Sequence, residues 1–194
     1  MAGGDVVIVG GGIAGMTTAY YLARAGVPSV VVERDAIGSH ASGFAYGGLS
    51  PLTGFGIPGP LAEVAQEGMR LHRELAENVV EETGIGVDFR ARPSLALAFT
   101  EVEAERLRAA LPWQQRQPGY AARWLSASEA RRAEPRVSDL ALGAVSIEGT
   151  ADVEPYRLML ALTRASAVTR IDDTGFCCAS AGPVSVAAST AAAN

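Results

Sequence analysis

The fold is decided by Val6-Val-Ile-Val-Gly10-Gly-Gly-Ile-Ala-Gly15, a β-branched run that leads directly into a cluster of glycines. The continuous apolar run from Asp5 to Val9 is typical of a parallel strand that is buried on both faces. Residues 13–25 are rich in Ala, Met and Leu and predict a helix, with Gly26 in position for a left-handed C-cap. Because residues 29–33 predict a second buried strand, we expect a right-handed parallel βαβ unit.

The glycines at positions 10, 12 and 15 form Gly-x-Gly-x-x-Gly between a strand and a helix, which is the context of a dinucleotide site. In such a site Gly10 makes the tight turn, Gly12 admits the pyrophosphate to the backbone, and Gly15 lets the helix pack closely on the strand. The first N–H groups of the helix, around Ile13 and Ala14, are then predicted to bind the phosphates.

Glu33 ends the second strand 23 positions after Gly10. A carboxylate at this place accepts hydrogen bonds from the ribose hydroxyls of adenosine. It would repel a 2′-phosphate, which disfavours NADP, although the neighbouring cation Arg34 keeps that cofactor open. The motif alone does not separate FAD from NAD, because both contain the same ADP half.

The segment after Glu33 favours FAD over NAD. Residues 37–60 are dense in Gly, Ser and Pro and show no helical or strand period. An NAD-linked dehydrogenase usually continues here into another helix, whereas a loop of small residues can lie along a pyrophosphate, a ribityl chain and a flat ring. The candidates in this loop for cofactor binding are Ser42, Gly43, Gly47, Gly48 and Leu49. A flexible surface loop is the alternative.

Beyond the loop, periodicity predicts further helices and short strands. A long amphipathic helix is predicted over 61–83, with one apolar face formed by Leu61, Val64, Ala65, Gly68, Leu71, Leu75 and Val79. Short strands are predicted at 87–90, 95–99 and 142–147. Further helices are predicted at 101–110, closed by Pro112, and at 155–167. Ser126 and Glu129 have the spacing of a capping box.

Composition excludes several classes of function. The 194 residues are 48% hydrophobic, carry a net charge of -5 and include no lysine. The absence of lysine excludes a Walker-type phosphate loop, a pyridoxal Schiff base and any catalytic lysine. The acidic balance argues against nucleic-acid binding. Glycines interrupt the uncharged stretch 6–23, so we expect no membrane span, and the adjacent Cys177 and Cys178 fit neither a disulfide nor a metal site. A cytoplasmic location is expected.

Taken together, these motifs resemble those of the D-amino-acid oxidase-like family of FAD-dependent oxidoreductases, which includes glycine oxidase, sarcosine oxidase and D-amino-acid dehydrogenase. The resemblance covers about residues 5–163. It rests on the glycine motif, on Val32-Glu-Arg-Asp35, on the Ser42-Gly43 and Gly47-Gly-Leu49 phrases, and on later phrases at 82–85, 124–126, 134–135 and 153–157. The phrase at 47–52 is closest to the glycine oxidase branch.

The resemblance implies an α/β fold, with a Rossmann-like FAD-binding domain and part of a second, mixed-sheet substrate domain. By this likeness residues 1–85 and 150–170 belong to the FAD domain and 86–149 to the substrate domain. The implied reaction oxidises a small amine or amino acid by hydride transfer to flavin, followed by imine hydrolysis. The implied cofactor-binding residues are Gly10, Gly12, Ile13, Ala14, Gly15, Glu33, Arg34, Ser42, Gly43, Gly47, Gly48 and Leu49.

The C-terminal stretch departs from the family pattern. Residues 174–194 carry no charge and are dominated by Ala, Ser and Thr, so 171–194 is expected to be an atypical tail, disordered or frame-shifted, on a truncated chain. In relatives, the residues that clamp the substrate come from a part of the chain that has no counterpart here, so no catalytic residue is assigned. The sequence also leaves the oligomeric state open. Two alternatives stay open: a dinucleotide-binding fragment without turnover, and an NAD-linked dehydrogenase.

Overall fold

A computed structural model describes residues 6–54, 56–166, 168–171 and 176–179. In chain order its strands are β1 (Val6–Val9), β2 (Ser29–Val32), β3 (Gly48–Leu49), β4 (Arg90–Ala91), β5 (Ser94–Ala98), β6 (Ala121–Ser126), β7 (Gly143–Glu148), β8 (Ala151–Asp152), β9 (Val168–Ile171) and β10 (Phe176–Ala179). Its helices are α1 (Ile13–Arg24), α2 (Ala41–Phe44), α3 (Ala62–Thr83), α4 (Glu101–Gln114), α5 (Ala127–Ala133) and α6 (Pro155–Ala165).

Two compact units divide the chain. The first comprises Met1–Tyr46, Asn78–Val87 and Pro155–Asn194, and the second comprises Gly47–Glu77 and Asp88–Glu154. Helix α3 contributes residues to both units. The mixture of helices and sheets agrees with the α/β class predicted from the sequence.

The first unit contains the predicted βαβ. Strands β1 and β2 are parallel, with Val6 opposite Ser29 and Val9 opposite Val32. Gly26 follows the end of α1 in the left-handed region, with φ +70°. The parallel pairing and the glycine C-cap are therefore confirmed.

The sheet of the first unit is mixed rather than purely parallel. Its strand order is β1-β2-β10-β9, and β10 runs antiparallel to both of its neighbours. Strand β10 and the last residue of β9 fall within the predicted atypical tail, 171–194. The other residues of the predicted atypical tail, 172–175 and 180–194, lie outside the described residues.

The prediction that β1 is buried on both faces is wrong. Ile8 is buried, but Val7 is 61% exposed and Val9 85% exposed. Because alternate side chains of a strand point to opposite faces, these two valines share the face opposite Ile8. Strand β1 also lies at the edge of the sheet. Among the described residues, nothing covers this face of β1.

Helices α1 and α6 pack together in the core of the first unit. Met16, Tyr20 and Leu162 are almost completely buried. The Tyr20 hydroxyl donates to Glu82 Oε1 at 3.0 Å and accepts from Arg24 Nη1 at 3.1 Å. This network attaches α1 to the C-terminal end of α3.

The second unit is built on the antiparallel sheet β5-β7-β6. Its central strand β7 is buried from residue 143 to residue 147. One apolar cluster includes Leu125, Ala130 and Ala144, and the other includes Leu52, Val145 and Ile147. A smaller sheet, β3-β8-β4, joins the segments around residues 48, 151 and 90.

Three of the predicted helices and strands differ in detail. Leu61, directly before α3, is 48% exposed, and Val64, in its first turn, is 70% exposed, so the apolar face predicted over 61–83 is wrong at these two positions. Six residues of this helix are buried: Ala62, Met69, Leu75, Ala76, Val79 and Thr83. Ala62, Met69, Ala76 and Thr83 recur every seven residues, so they lie on one side of the helix. The strand predicted at 87–90 is displaced to Arg90–Ala91.

Helix α4 does not stop at Pro112, contrary to the prediction, but passes through it to Gln114. A proline inside a helix leaves the carbonyl four residues earlier without its usual donor. Helical bonding resumes directly afterwards, since the Gln115 N–H donates to Leu111 O at 2.9 Å. Among the helices in the described part of the chain, none has the length and apolar character needed to cross a bilayer.

Candidate cofactor-binding site

The glycine turn joins β1 to α1 in a conformation that side chains oppose. Gly10 has φ +104°, a region that residues with a Cβ rarely adopt. Its N–H donates to Val32 O at 2.8 Å, which closes the turn against β2. A Cβ on Gly15 would lie 2.0 Å from Gly10 O. The helix therefore approaches the strand at a distance that only glycine at position 15 permits.

The first turn of α1 presents backbone donors. In the described part of the chain, the N–H groups of Gly12, Ala14 and Gly15 have no hydrogen-bond acceptor. The N–H of Ile13 donates to Ser42 Oγ at 2.9 Å. Free N–H groups at a helix N-terminus carry partial positive charge and favour an anion. The arrangement is suited to phosphate oxygens.

Glu33 lies beside this turn, directly after β2. Its Oε2 accepts from the Gly11 N–H at 2.6 Å and its Oε1 from the Asp35 N–H at 3.0 Å. These bonds, first that from Asp35 and then that from Gly11, hold the pKa of the Glu33 carboxyl below its usual value. Each oxygen keeps a second acceptor position. Glu33 is thus an ionised, partly exposed acceptor next to the helix start.

A polar cluster follows Glu33 that the sequence did not reveal. Asp35 Oδ2 lies 2.7 Å from His40 Nε2 and 3.3 Å from Arg34 Nε. These contacts, chiefly with His40, lower the pKa of the Asp35 carboxyl. The Arg34 side chain is 87% exposed. No periodic signal marks a contact between residues five apart in a loop, so only the structure could show it.

The loop after this cluster is held against α1 by close backbone contacts. The Gly38 N–H donates to Gly11 O at 3.0 Å. A Cβ on Gly43 would lie 2.2 Å from Gly38 O, so α2 packs directly on the loop. A Cβ on Gly12 would lie 3.0 Å from Ser42 Oγ. The loop therefore places Ser42 at the start of α1.

Gly47, Gly48 and Leu49 belong to the second unit. Gly47 has φ +82°, and its carbonyl accepts from the Val153 N–H at 3.0 Å. Gly48 and Leu49 form β3, which pairs with β8. The first unit contains nine of the predicted site residues: Gly10, Gly12, Ile13, Ala14, Gly15, Glu33, Arg34, Ser42 and Gly43. Their role in cofactor binding stays a prediction.

The described residues contain no candidate metal site, since no group of three or more His, Cys, Asp and Glu side chains could hold a metal ion. The arginines after α3 are engaged: Arg90 Nη2 lies 2.5 Å from Asp88 Oδ2, and Arg92 Nε lies 2.5 Å from Asp152 Oδ1.

The residues of the glycine turn fit the ADP half of a dinucleotide. The free N–H groups of α1 match the donors that a diphosphate requires. The Glu33 carboxylate matches the acceptor that ribose hydroxyls require. No side chain fills position 12, so the backbone is accessible there.

Comparisons with known proteins agree with this geometry. A profile of the FAD dependent oxidoreductase (DAO) family matches residues 5–170. The chain is 36% identical over 165 residues to glycine oxidase of Geobacillus kaustophilus (strain HTA426), which covers 84% of this chain and 43% of that protein. It is 30% identical over 168 residues to glycine oxidase of Bacillus licheniformis, covering 87% of this chain and 44% of that protein.

Solved structures extend the likeness to three dimensions. The crystal structure of the Geobacillus kaustophilus glycine oxidase matches with a TM-score of 0.78 and 34% identity, over 84% of this chain and 44% of that one. L-proline dehydrogenase from P. horikoshii, at 22% identity and a TM-score of 0.65, shares the fold over 83% of this chain and 41% of that one.

The chain spans less than half the length of the glycine oxidases that it matches. The family profile nevertheless covers most of the chain, including the glycine turn, Glu33 and the loop. The resemblance predicted from the sequence is confirmed, and with it the FAD dependence of the family. The chain belongs to the FAD dependent oxidoreductase family.

Proposed function

We propose that the protein takes part in the FAD-dependent oxidation of a small amino acid or amine. The observation that carries this proposal is the glycine turn of α1, whose free N–H groups lie beside the Glu33 carboxylate. Support for the substrate class comes from relatives that are named glycine oxidases. FAD, when bound, supplies the chemistry by accepting a hydride from the substrate and passing on two electrons.

The residues of this chain would hold and orient the cofactor. The amides of Gly12, Ala14 and Gly15 would donate to the diphosphate, and Glu33 would accept from the adenosine ribose. The ionised state of Glu33 is favoured by its two backbone donors. Ser42, which accepts from the Ile13 N–H, has its own hydroxyl proton available to donate.

The remaining predicted residues would extend this binding surface. Gly43 would border the cofactor within the first unit, and Arg34 would lie near the adenosine end. Gly47, Gly48 and Leu49, in the second unit, are proposed as cofactor-binding residues from the family resemblance alone. We also propose a cytoplasmic protein without a nucleic-acid partner. The net charge of -5 supports the absence of such a partner, since a nucleic-acid surface requires clustered basic charge.

The decisive experiment is a titration of the full chain with FAD, ADP and NAD. We expect saturable FAD binding with visible flavin absorbance, and FAD binding tighter than NAD binding. Glycine, added without oxygen, should bleach the bound flavin if the chain turns over substrate. A flavin-loaded protein that resists bleaching would instead support the binding fragment without turnover. A colourless protein, or tighter NAD binding, would contradict the proposal.

A substitution at Glu33 tests the assignment at the residue level. Glu33→Gln should weaken FAD and ADP by the same factor, roughly tenfold, because the ribose is common to both ligands and a hydrogen bond to a charged acceptor is lost. Glu134, which pairs with Arg136 in the second unit, provides the matched control. Glu134→Gln should leave both affinities unchanged. Equal effects of the two substitutions would refute the role of Glu33.

A further inference from the structure

The segment between Glu33 and α2 is bonded to the glycine turn and packed against α6. The Asp35 N–H donates to Glu33 Oε1 at 3.0 Å, and the Gly38 N–H donates to Gly11 O at 3.0 Å. A Cβ on Gly38 would lie 3.2 Å from Met159 Cγ, so α6 contacts this segment directly. A displacement of the segment would therefore disturb both the predicted ribose acceptor and the glycine turn.

One side-chain pair joins the two ends of the segment 35–40. Asp35 Oδ2 lies 2.7 Å from His40 Nε2. Asp35 is the residue whose N–H binds the Glu33 carboxylate. His40 directly precedes α2, which carries Ser42 to the start of α1. The pair thus connects the predicted ribose end of the site to the predicted diphosphate end.

Two other charged groups of the same segment lie beside this pair. Arg34 Nε donates to Asp35 Oδ2 at 3.3 Å, a longer contact than that of His40 with the same oxygen. The pKa of the Glu33 carboxyl is lowered, chiefly by the Asp35 N–H, and the pKa of the Asp35 carboxyl is lowered, chiefly by His40. Both carboxylates are therefore ionised above about pH 4.5.

Helix α6, which packs on α2, carries two further titratable side chains in its first turn. The Tyr156 ring lies beside α2, with Cδ2 at 4.0 Å from the position of a Cβ on Gly43. Arg157 Nη1 contacts Gly86 O at 3.5 Å. Neither a phenol nor a guanidinium ordinarily changes its charge between about pH 5.5 and 8, whereas an imidazole does. Among these groups, His40 is therefore the one that titrates in this range.

We propose that Asp35 and His40 are positioning residues of the cofactor site, and that protonation of His40 strengthens cofactor binding. Because the Asp35 carboxylate can only accept, His40 Nε2 carries a proton and donates it to the bond. Protonation of the second ring nitrogen makes this donor charged, and charge-assisted hydrogen bonds are the stronger kind. The inference rests on the proposed function, since it concerns the same site, but neither residue needs to touch the cofactor.

The affinity of the full chain for FAD, measured at about pH 5.5 and pH 8, tests this role. The two side chains are 65% and 44% exposed, so the native protein should bind FAD only about threefold more tightly at the lower pH. His40→Gln keeps an N–H donor without titrating, so it should bind FAD as the native protein does at pH 8 and lose the pH dependence. His40→Ala should bind FAD more weakly than the native protein at both pH values.

His72, the second of the two histidines of the chain, provides the matched control. It lies in α3, outside the segment 35–40. His72→Gln should keep the native pH dependence of FAD binding. Loss of that dependence in His72→Gln, with retention in His40→Gln, would overturn the proposal.

A double-mutant cycle assigns the effect to the pair. Asp35→Ala should weaken FAD binding, and His40→Ala added to it should cause no further loss, because residues in direct contact are not additive. In the protein without FAD, hydrogen exchange at the Gly38 amide should be faster in both single variants. Additive losses or unchanged exchange would overturn the positioning role while leaving FAD binding intact. A native chain that binds no FAD would instead refute the proposed function, and this role with it.

Discussion

At the residue scale, the glycines of the first turn are constrained in different ways. Position 15 is closed by Gly10 O, whereas position 12 is bordered only by the end of the Ser42 side chain. The sequence predicted both roles from spacing alone, because the contacts of the turn are local. It could not predict the bond from the Gly11 N–H to Glu33, which depends on how the carboxylate turns after β2.

Gly15→Ala should destabilise the protein by about 1–3 kcal/mol, because the added methyl meets a backbone oxygen that cannot move freely. Urea unfolding monitored by circular dichroism measures this change. Gly68, inside α3 with open space around its missing Cβ, is the matched control. Gly68→Ala should be neutral or stabilising, by up to about 1 kcal/mol. Equal losses for both variants would show that the close contact does not limit position 15.

Glu33 should make stability depend on pH in the acid range. Its pKa is lowered in the folded state from an ordinary value of 4.5, so its contribution is complete above that value and is lost as the pH falls through the folded pKa. Thermal unfolding of Glu33→Gln should therefore differ most from the native protein near neutral pH, and the difference should shrink below about pH 4.5.

The control for this measurement is Gly68→Ala, a change inside α3 that neither adds nor removes an ionisable group. It should shift the melting temperature by the same amount at every pH, so that the pH profile keeps its shape. A Glu33→Gln profile parallel to that of the native protein would contradict the role of the two backbone donors.

At the scale of helices and strands, local signals were reliable and the ends of elements less so. The capping box at Ser126 is confirmed: its Oγ accepts from the Glu129 N–H at 3.3 Å, and Glu129 Oε2 accepts from the Ser126 N–H at 2.8 Å. A second capping box, at Thr100 and Glu103, was not predicted although the residue types are suitable. Pro112 misled the prediction because tertiary contacts, such as that of Gln114 with Leu52, outweigh one missing helical bond.

Ser126→Ala should destabilise the protein by about 1 kcal/mol, since α5 has only seven residues and its first N–H groups depend on this cap. The free energy of unfolding in urea measures the loss, and hydrogen exchange should be faster at the start of α5. Ser126→Asp, which keeps an acceptor at the cap, should cost less than about 0.5 kcal/mol. A loss as large as that of Ser126→Ala would contradict the capping role.

At the scale of the whole molecule, the sequence predicted the family, the α/β class and the βαβ unit, because each depends on patterns within a short stretch. It did not predict the uncovered face of β1, since burial of that face depends on what packs on it from elsewhere. The sequence also did not predict the pocket that α4 and the loop after β3 line together. Its lining combines residues that are more than fifty positions apart in sequence, such as Leu52 and Gln114.

The exposed valines of β1 should promote self-association. An apolar strand at the edge of a sheet offers unpaired backbone groups and an apolar face to other copies. Val7→Thr with Val9→Thr should lower light scattering of concentrated protein while changing the free energy of unfolding by about 0.5 kcal/mol or less. Val31, fully buried in β2, is the control, and Val31→Thr should destabilise the fold. Unchanged scattering would show that this face does not drive association.

Glycine is required at position 15 by the fold itself, because a Cβ there would overlap Gly10 O. At position 12 the fold imposes no such requirement, since a Cβ there would meet only the Ser42 hydroxyl. A descendant of this chain that had lost its cofactor would be free to gain a side chain at position 12 once the Ser42 hydroxyl turned aside. It would still need glycine at position 15, because a side chain there would clash with the backbone oxygen of Gly10. In such a chain the fold alone would keep glycine at position 15, whereas glycine at position 12 would be kept only by the nucleotide that we propose it admits.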